Sequence, residues 1–310
     1  MSPPFHVLGF GAVSVDDIIY VDRPLASGKG KVTKRATDHG GNVATALVAI
    51  ARLGGHAAFI GWLSDRPPDD VGRCELERGG VDTSLAPRHA DAAPIRSVVI
   101  VDPNGDRFIA YDDDVPHGTS QALPDHVLKQ APVLLIDGYA THCETVVARA
   151  RALGLAIVAD IEWTAGSATD RIMALADHLV LPLAFGQAST GESVPLAVLD
   201  KLWTEERSAV VLTDGDHGSY VRQRDDATRW HFPAYEVQAI DTTGAGDCYH
   251  GAYCLALAQG KAPLDCVAYA TAAAAISVTA RGGRMGLPDN RACLARMAGM
   301  GAPAAVPIAG

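Results

Sequence analysis

Apolar and polar positions along this chain follow two alternating rhythms. Short β-branched runs bounded by turn residues are separated by stretches where apolar side chains recur every three to four positions. Val7–Val15, Ala57–Trp62, Val133–Asp137, Ala156–Asp160, His178–Leu181 and Ala209–Thr213 are runs of the first kind and predict buried strands. Asn42–Leu53 carries Val43, Ala46, Leu47, Ile50 and Leu53 at helical spacing and predicts an amphipathic helix. Glu144–Leu153 does the same and stops at Gly154, and a shorter helix is expected at Cys74–Arg78 before Gly79-Gly80. The final third reads as mostly helical. Strands that alternate with helices predict a largely parallel sheet with helices on both faces, in one domain spanning 1–310.

Two segments break this rhythm. Ile18–Asp38 is polar, partly alternating, and contains Ser27-Gly28-Lys29-Gly30-Lys31. Ile95–Asp113 reads as a hairpin, with Ser97–Val101 and Arg107–Tyr111 joined by Asp102-Pro103-Asn104-Gly105, and Asn-Gly is a strong hairpin turn signal. Both predict strands outside the main sheet, a β-flap on the surface. The tail Ala302–Gly310 is rich in Ala, Pro and Gly and is expected to fray.

Composition narrows the classes of function. The chain has 310 residues, 48% of them hydrophobic, which is ample for a large core. Its net charge is 26 minus 36, or −10, without a Lys/Arg cluster, which argues against extended nucleic-acid binding. The six cysteines are scattered and form no CxxC pair, so they read as reduced core thiols of a cytoplasmic protein rather than a structural metal site. Met1-Ser2-Pro3-Pro4 lacks the basic and apolar regions of a signal peptide, and no uncharged stretch is long enough to span a membrane.

The chemistry concentrates in Asp241-Thr242-Thr243-Gly244-Ala245-Gly246-Asp247, which leads into the apolar helical run Cys248–Ala258. Small residues at a helix start let unpaired N–H groups approach a ligand, and the helix dipole adds partial positive charge, so the place suits phosphate. A carboxylate there repels phosphate, and the arrangement makes sense if Asp247 takes a proton from a hydroxyl that attacks the phosphate. The plainer alternative is that Asp247 only caps a glycine-rich turn.

The run resembles the signature of the ribokinase-like (PfkB) carbohydrate kinase family, and four more segments resemble that family in order. They are Gly9–Asp16, His39–Ala46 running into Arg52-Leu53-Gly54, Val211–Gly218 and Ala272–Thr279. The resemblance implies a three-layer α/β/α fold whose mostly parallel central sheet carries a small β-lid, formed by about 18–38 and 95–113. It implies an ATP-dependent kinase that transfers the γ-phosphoryl group to a hydroxyl of a small sugar, with Mg2+ and a monovalent cation such as K+, often as a homodimer through the lid.

Residue by residue, the resemblance gives Asp247 as catalytic base, with Gly244, Ala245 and Gly246 donating N–H bonds to the phosphoryl oxygens. Ser14, Asp16, Gly41, Asn42, Thr45 and Asp241 fall at sugar-binding positions. Asp17 competes with Asp16, because strand alternation turns the two opposite ways, and Asn42 is equally suited to capping its helix. Thr213, Gly215, Gly218 and Thr271 fall beside the nucleotide; Asp241 is equally placed to help hold the monovalent cation through neighbouring carbonyls, with Gly282 and Gly283 in that cation loop. Thr45 stands where many family members have Asn. In the magnesium region Pro182 and Phe185 replace the usual Asn and Glu, so the metal is held another way, through Asp160 or Glu162, or activity is reduced. Lys29 and the run Arg281–Pro288 resemble the bacterial branch that includes sulfofructose kinases, where the lysine helps hold a sulfonate. Ala110 or Tyr111 and Tyr139 stand where that branch has further polar partners, which argues against a sulfosugar and leaves an acidic or phosphorylated sugar open. The rivals are a nucleoside kinase on the same fold and a binding protein that has lost turnover.

Overall fold

Val133–Asp137 is buried at all five positions, and so is every residue of Val7–Phe10. Strands covered on both faces need such unbroken apolar runs. The computed structural model describes residues 3–104, 106–163 and 166–308; Gly105 of the hairpin turn and Ala309 and Gly310 of the tail lie outside them. In chain order the elements begin β1 (Val7–Phe10), β2 (Ser14–Val21), β3 (Val32–Gly40), α1 (Asn42–Arg52), β4 (Ala57–Phe59), α2 (Val71–Arg78), β5 (Ile95–Val101) and β6 (Arg107–Asp112). There follow α3 (Asp125–Leu128), β7 (Val133–Asp137), α4 (Glu144–Ala152), β8 (Ala156–Asp160), α5 (Ser167–Leu175), β9 (His178–Pro182), α6 (Leu183–Thr190), α7 (Pro195–Leu202) and β10 (Ala209–Thr213). The chain continues with β11 (Ser219–Gln223), β12 (Asp226–Phe232), α8 (Ala245–Ala258), α9 (Pro263–Ser277), α10 (Asn290–Ala298) and β13 (Val306–Ile308).

The main sheet runs β13-β12-β11-β10-β9-β8-β7-β1-β4, parallel from β10 to β4 and antiparallel from β11 to β13. Alternate strand residues feed two apolar layers. Val7, Leu135, Val158, Val180 and Val211 pack with α1, α8 and α9; Leu8, Ile136, Ile157, Leu179 and Leu212 pack with α4 to α7. This is the three-layer α/β/α arrangement.

A second sheet of four strands, β3-β2-β5-β6, stands apart from the first. Here the expectation of one strand over Val7–Val15 needs correction. The chain breaks between β1 and β2 because Asp137 at the end of β7 occupies the space beside it. A Cβ on Gly11 would lie 2.3 Å from Asp137 Oδ2, and the Ala12 N–H donates to that oxygen at 2.6 Å. β2 therefore leaves the main sheet and pairs with β3 and β5 instead. Two more expectations are corrected. The final third is not mostly helical up to its last elements, since β11 and β12 extend the sheet as an antiparallel pair. The tail is held rather than frayed where it is described, because Val306 and Ile308 pair with His231 and Arg229 on the edge of β12.

Candidate active site

Two cavities open at the carboxyl ends of the parallel strands, where open α/β sheets place ligands. The first, of about 1010 Å³, lies between the two sheets and is lined by Ser14, Asp16, Gly41, Asn42, Tyr139 and Asp241 among others. The second, of about 720 Å³, is lined by Thr213, Gly215, Gly218, Tyr249 and Thr271 and by Ala245 and Gly246. Ala239 and Thr242 line both, so the start of α8 stands at their junction.

That start has the geometry of an anion cradle. Gly244 caps α8 with φ +71°, and a Cβ there would lie 2.7 Å from the Gly283 carbonyl, so this backbone and this contact require glycine. Gly246 faces open space, with nothing within 4 Å of where its Cβ would stand. The Ala245 N–H donates to Thr242 O at 3.2 Å and the Cys248 N–H to Gly244 O at 2.9 Å. Among the described residues the N–H groups of Gly246 and Asp247 have no such partner, so they, rather than Ala245, are the donors left for a ligand.

Asp247 is half-buried behind the junction, in the first turn of α8. Burial raises its carboxyl well above the usual carboxylate range; Asp160 and Glu162 raise it further, Arg284 opposes them, and Asp137 adds to the rise. A base needs affinity for the proton it takes, so this environment suits the role.

On the first cavity's floor, Asp16 accepts from Ser97 Oγ at 2.7 Å and from Ser14 Oγ at 3.3 Å. Asp17 turns to the opposite face of the sheet, where it accepts from exposed Thr37. Strand alternation thus brings Asp16, not Asp17, to the cleft. Gly41 has φ +92°, and a Cβ there would strike the Ala12 carbonyl at 2.3 Å. Asn42 is the first residue of α1 rather than its cap, and its Nδ2 donates to Asp160 Oδ2 at 3.3 Å. Asp241 accepts from the Thr243 N–H at 2.9 Å and the Gly282 N–H at 3.0 Å. Tyr139 donates to Asp113 Oδ2 at 3.2 Å and packs between His117 and Trp163.

Several candidates lie elsewhere. Thr45 is buried, 1% exposed, and accepts from Arg284 Nε at 3.2 Å, so it supports the wall instead of lining it. Lys29 is exposed beyond the turn at Gly28, whose φ of +71° carries the chain outward, and is not among the cleft's lining residues. Tyr111 lines the cleft, while Ala110 belongs to the other face of β6. Asp160 is 2% exposed, with Oδ2 engaged by Asn42 and 3.5 Å from His250 Nδ1. Burial pushes its carboxyl up to about 6. Among the described residues no three His, Cys, Asp or Glu side chains are grouped to hold a metal.

Arg284, Asp137, His250 and Trp163 were not singled out from the sequence as site residues. Asp137 ends a parallel strand, which is a legible signal. The others carry none, because only tertiary packing brings them near Asp247 and the cleft.

Comparison with known proteins shows the family. The model of the pfkB family carbohydrate kinases matches residues 5–290. A fructokinase of Klebsiella pneumoniae is 30% identical, with 85% of this chain and 92% of that protein covered. Fructokinase-1 of Oryza sativa subsp. japonica is 29% identical over 81% of this chain and 85% of its own. The structure of Arabidopsis thaliana ribokinase complexed with ribose and ATP superimposes with a TM-score of 0.80 at 20% identity, covering 95% of this chain and 98% of that one. The chain belongs to the pfkB family of carbohydrate kinases.

Proposed function

We propose that this pfkB-family carbohydrate kinase holds a neutral sugar or sugar derivative in the cleft between its sheets and ATP in the adjoining cavity. Asp247 is the base in this reading. The observation that carries it is the single helix start between two cavities, with Gly246 open to a phosphate and a proton acceptor one residue on. A substrate hydroxyl oxygen attacks the γ-phosphorus, its proton passes to Asp247, the bond to the β–γ bridging oxygen breaks, and ADP leaves. The N–H groups of Gly246 and Asp247 face the charge that develops on the transferred group. Asp16 and Asn42 orient the sugar's hydroxyls, and closure of the four-stranded sheet as a lid excludes water.

Thr213, Gly215, Gly218 and Thr271 wall the nucleotide cavity. Magnesium enters bound to the nucleotide's phosphates and compensates their charge; with no grouped ligands among the described residues, we assign it no side chain. The monovalent cation is likewise left unassigned, because both oxygens of Asp241 already accept backbone N–H groups.

Charge selects the substrate class. Asp16, Asp22, Asp38, Asp102 and Asp241 line the sugar cleft, against one cation among the described residues, Arg281. Such a field disfavours phosphorylated, acidic and sulfonated sugars. A second reading, a nucleoside kinase, is favoured by one feature: Tyr111, Tyr139 and Trp163 line the same cleft and could stack on a base. The test is ADP release with Mg-ATP across neutral pentoses and ketohexoses, acidic, phosphorylated and sulfonated sugars, and nucleosides, with Asp247→Asn as control. Turnover is expected on one neutral class and to fall two to four orders of magnitude in the variant, as for loss of a general base. Turnover that survives in Asp247→Asn removes Asp247 from this role, and turnover confined to anionic sugars removes the charge argument.

A further inference from the structure

The loop after α9 carries a half-buried cation into a site otherwise crowded with carboxylates. Gly283 lies against Gly244, the cap of α8, and its N–H donates to Asp38 Oδ2 at 3.3 Å. The next residue, Arg284, turns inward. Its Nε donates to the buried Thr45 hydroxyl of α1 at 3.2 Å and its Nη2 to the Gly40 carbonyl at the end of β3 at 3.0 Å. Both acceptors are neutral, and among the described residues no carboxylate forms an ion pair with this guanidinium. Drawing a charge partly out of water without a direct partner is costly unless the surrounding field favours it. Here the hydrogen bonds fix the position of the guanidinium, and more distant carboxylates supply the field.

The charges facing Asp247 can be named element by element. Asp160 from β8, Glu162 just beyond it and Asp137 from β7 are the acids. Arg284 is the cation. His250, one turn along α8, places Nδ1 2.8 Å from Gly246 O and Nε2 2.8 Å from Val180 O, beside Asp160. Around Arg284 stand Asp38 and Asp16 from the second sheet and Glu75 from α2.

We propose that Arg284 is a positioning residue that favours the charged form of the Asp247 carboxyl against its neighbouring acids, held for that purpose by Thr45 and Gly40 in a loop packed on the start of α8. The proposal rests on Asp247 being the base. Arginine suits the place because it retains its proton when partly withdrawn from water and its planar fork serves two acceptors at once. A lysine keeps the charge with a different reach.

The test follows the Asp247 carboxyl itself, so it does not depend on knowing the sugar. In protein labelled with 13C at the aspartate carboxyls, the resonance lost in Asp247→Asn identifies the group, and its shift is followed against pH. In Arg284→Gln the titration midpoint should rise by about one pH unit or more, the scale of losing a nearby opposite charge. Arg284→Lys should restore most of it. With the sugar found in the substrate panel, the acid limb of turnover should move with the midpoint, so that the activity lost by Arg284→Gln at neutral pH returns as pH is raised. A purely structural arginine would lower activity at every pH alike. A midpoint unmoved in Arg284→Gln overturns the proposal while leaving Asp247 as base. Persistent turnover in Asp247→Asn overturns the reading beneath it. Should Arg284→Gln not fold, Arg284→Lys carries the test, since a midpoint raised despite the retained charge also overturns it.

Discussion

Gly244 and Gly246 stand two residues apart and do different work. Gly244 needs its lack of a side chain for conformation and contact, with φ +71° and the Gly283 carbonyl pressed against it. Gly246 has helical surroundings and open space. Gly244→Ala should therefore lower stability by roughly 1–3 kcal/mol, the cost of a residue forced into a left-handed backbone. Gly246→Ala should leave the melting temperature unchanged or slightly higher, since alanine favours the helix. It should lower kcat/KM for ATP about ten- to a hundredfold, because its methyl displaces the phosphate from its line of attack. Thermal melts and ATP saturation curves on the two variants check this contrast. Equal melting temperatures, or normal ATP kinetics in Gly246→Ala, would contradict the cradle.

At the scale of elements, the joint between the two sheets depends on one buried carboxyl. Asp137 ends β7, is 0% exposed, and accepts from the Ala12 N–H at 2.6 Å and the Tyr139 N–H at 3.0 Å. Burial raises it to about 7. It turns the chain out of β1 and into β2, which carries Ser14 and Asp16, and it starts the segment that brings Tyr139 to the cleft. Asp137→Asn keeps one acceptor oxygen and leaves the other N–H group facing an amide. The expected result is a loss of roughly 1–3 kcal/mol of stability, the cost of an unsatisfied buried polar group. KM for the sugar should rise more than KM for ATP, because the joint orients the first cavity and not the second. Denaturant titration and two-substrate kinetics measure both effects, and equal changes in the two KM values would speak against this role.

For the whole molecule, pH acts through a buried histidine far in sequence from its partner. His178 of β9 is 3% exposed, its Nδ1 lies 2.9 Å from Tyr253 Oη of α8, and burial lowers its pKa to about 4. The unfolded imidazole takes its proton near 6.5. Between those values the unfolded chain binds more protons, so this contribution is complete above pH 6.5 and is lost as pH falls toward 4. Its size is on the order of a few kcal/mol. Melting temperature should drop across that window in the native chain and drop less steeply in His178→Asn, measured by calorimetry in matched buffers. Parallel curves would assign the pH dependence to other groups.

The parallel strands, the helices α1 and α4, the second-sheet hairpin and the start of α8 were legible because each depends on local pattern: apolar runs, helical spacing, Asn-Gly, and small residues before an acid. The segment proposed to cradle phosphate and its proposed base lie within seven consecutive residues, and Gly41 and Asn42 lie at the start of α1; Asp16, read as the end of the first strand, is instead the third residue of β2 in the second sheet. The break between β1 and β2 was not legible, because it answers to Asp137, 125 residues away from Ala12. The edge strand β13 was hidden for the same reason, since its Ala- and Pro-rich tail becomes a strand only where β12 offers unpaired backbone groups. Thr45, one turn into α1, gave no local sign that it faces Arg284, whereas Lys29, in a polar turn, is equally readable from sequence as a solvated lid residue, and it does face solvent. Sequence alone determined most of the parallel strands and their helices and the local pattern of the proposed phosphate site. Only the tertiary structure decided which charges surround Asp247, because electrostatic neighbours are set by distance in space, and Arg284, Asp160 and Asp137 reach Asp247 from three separate parts of the chain.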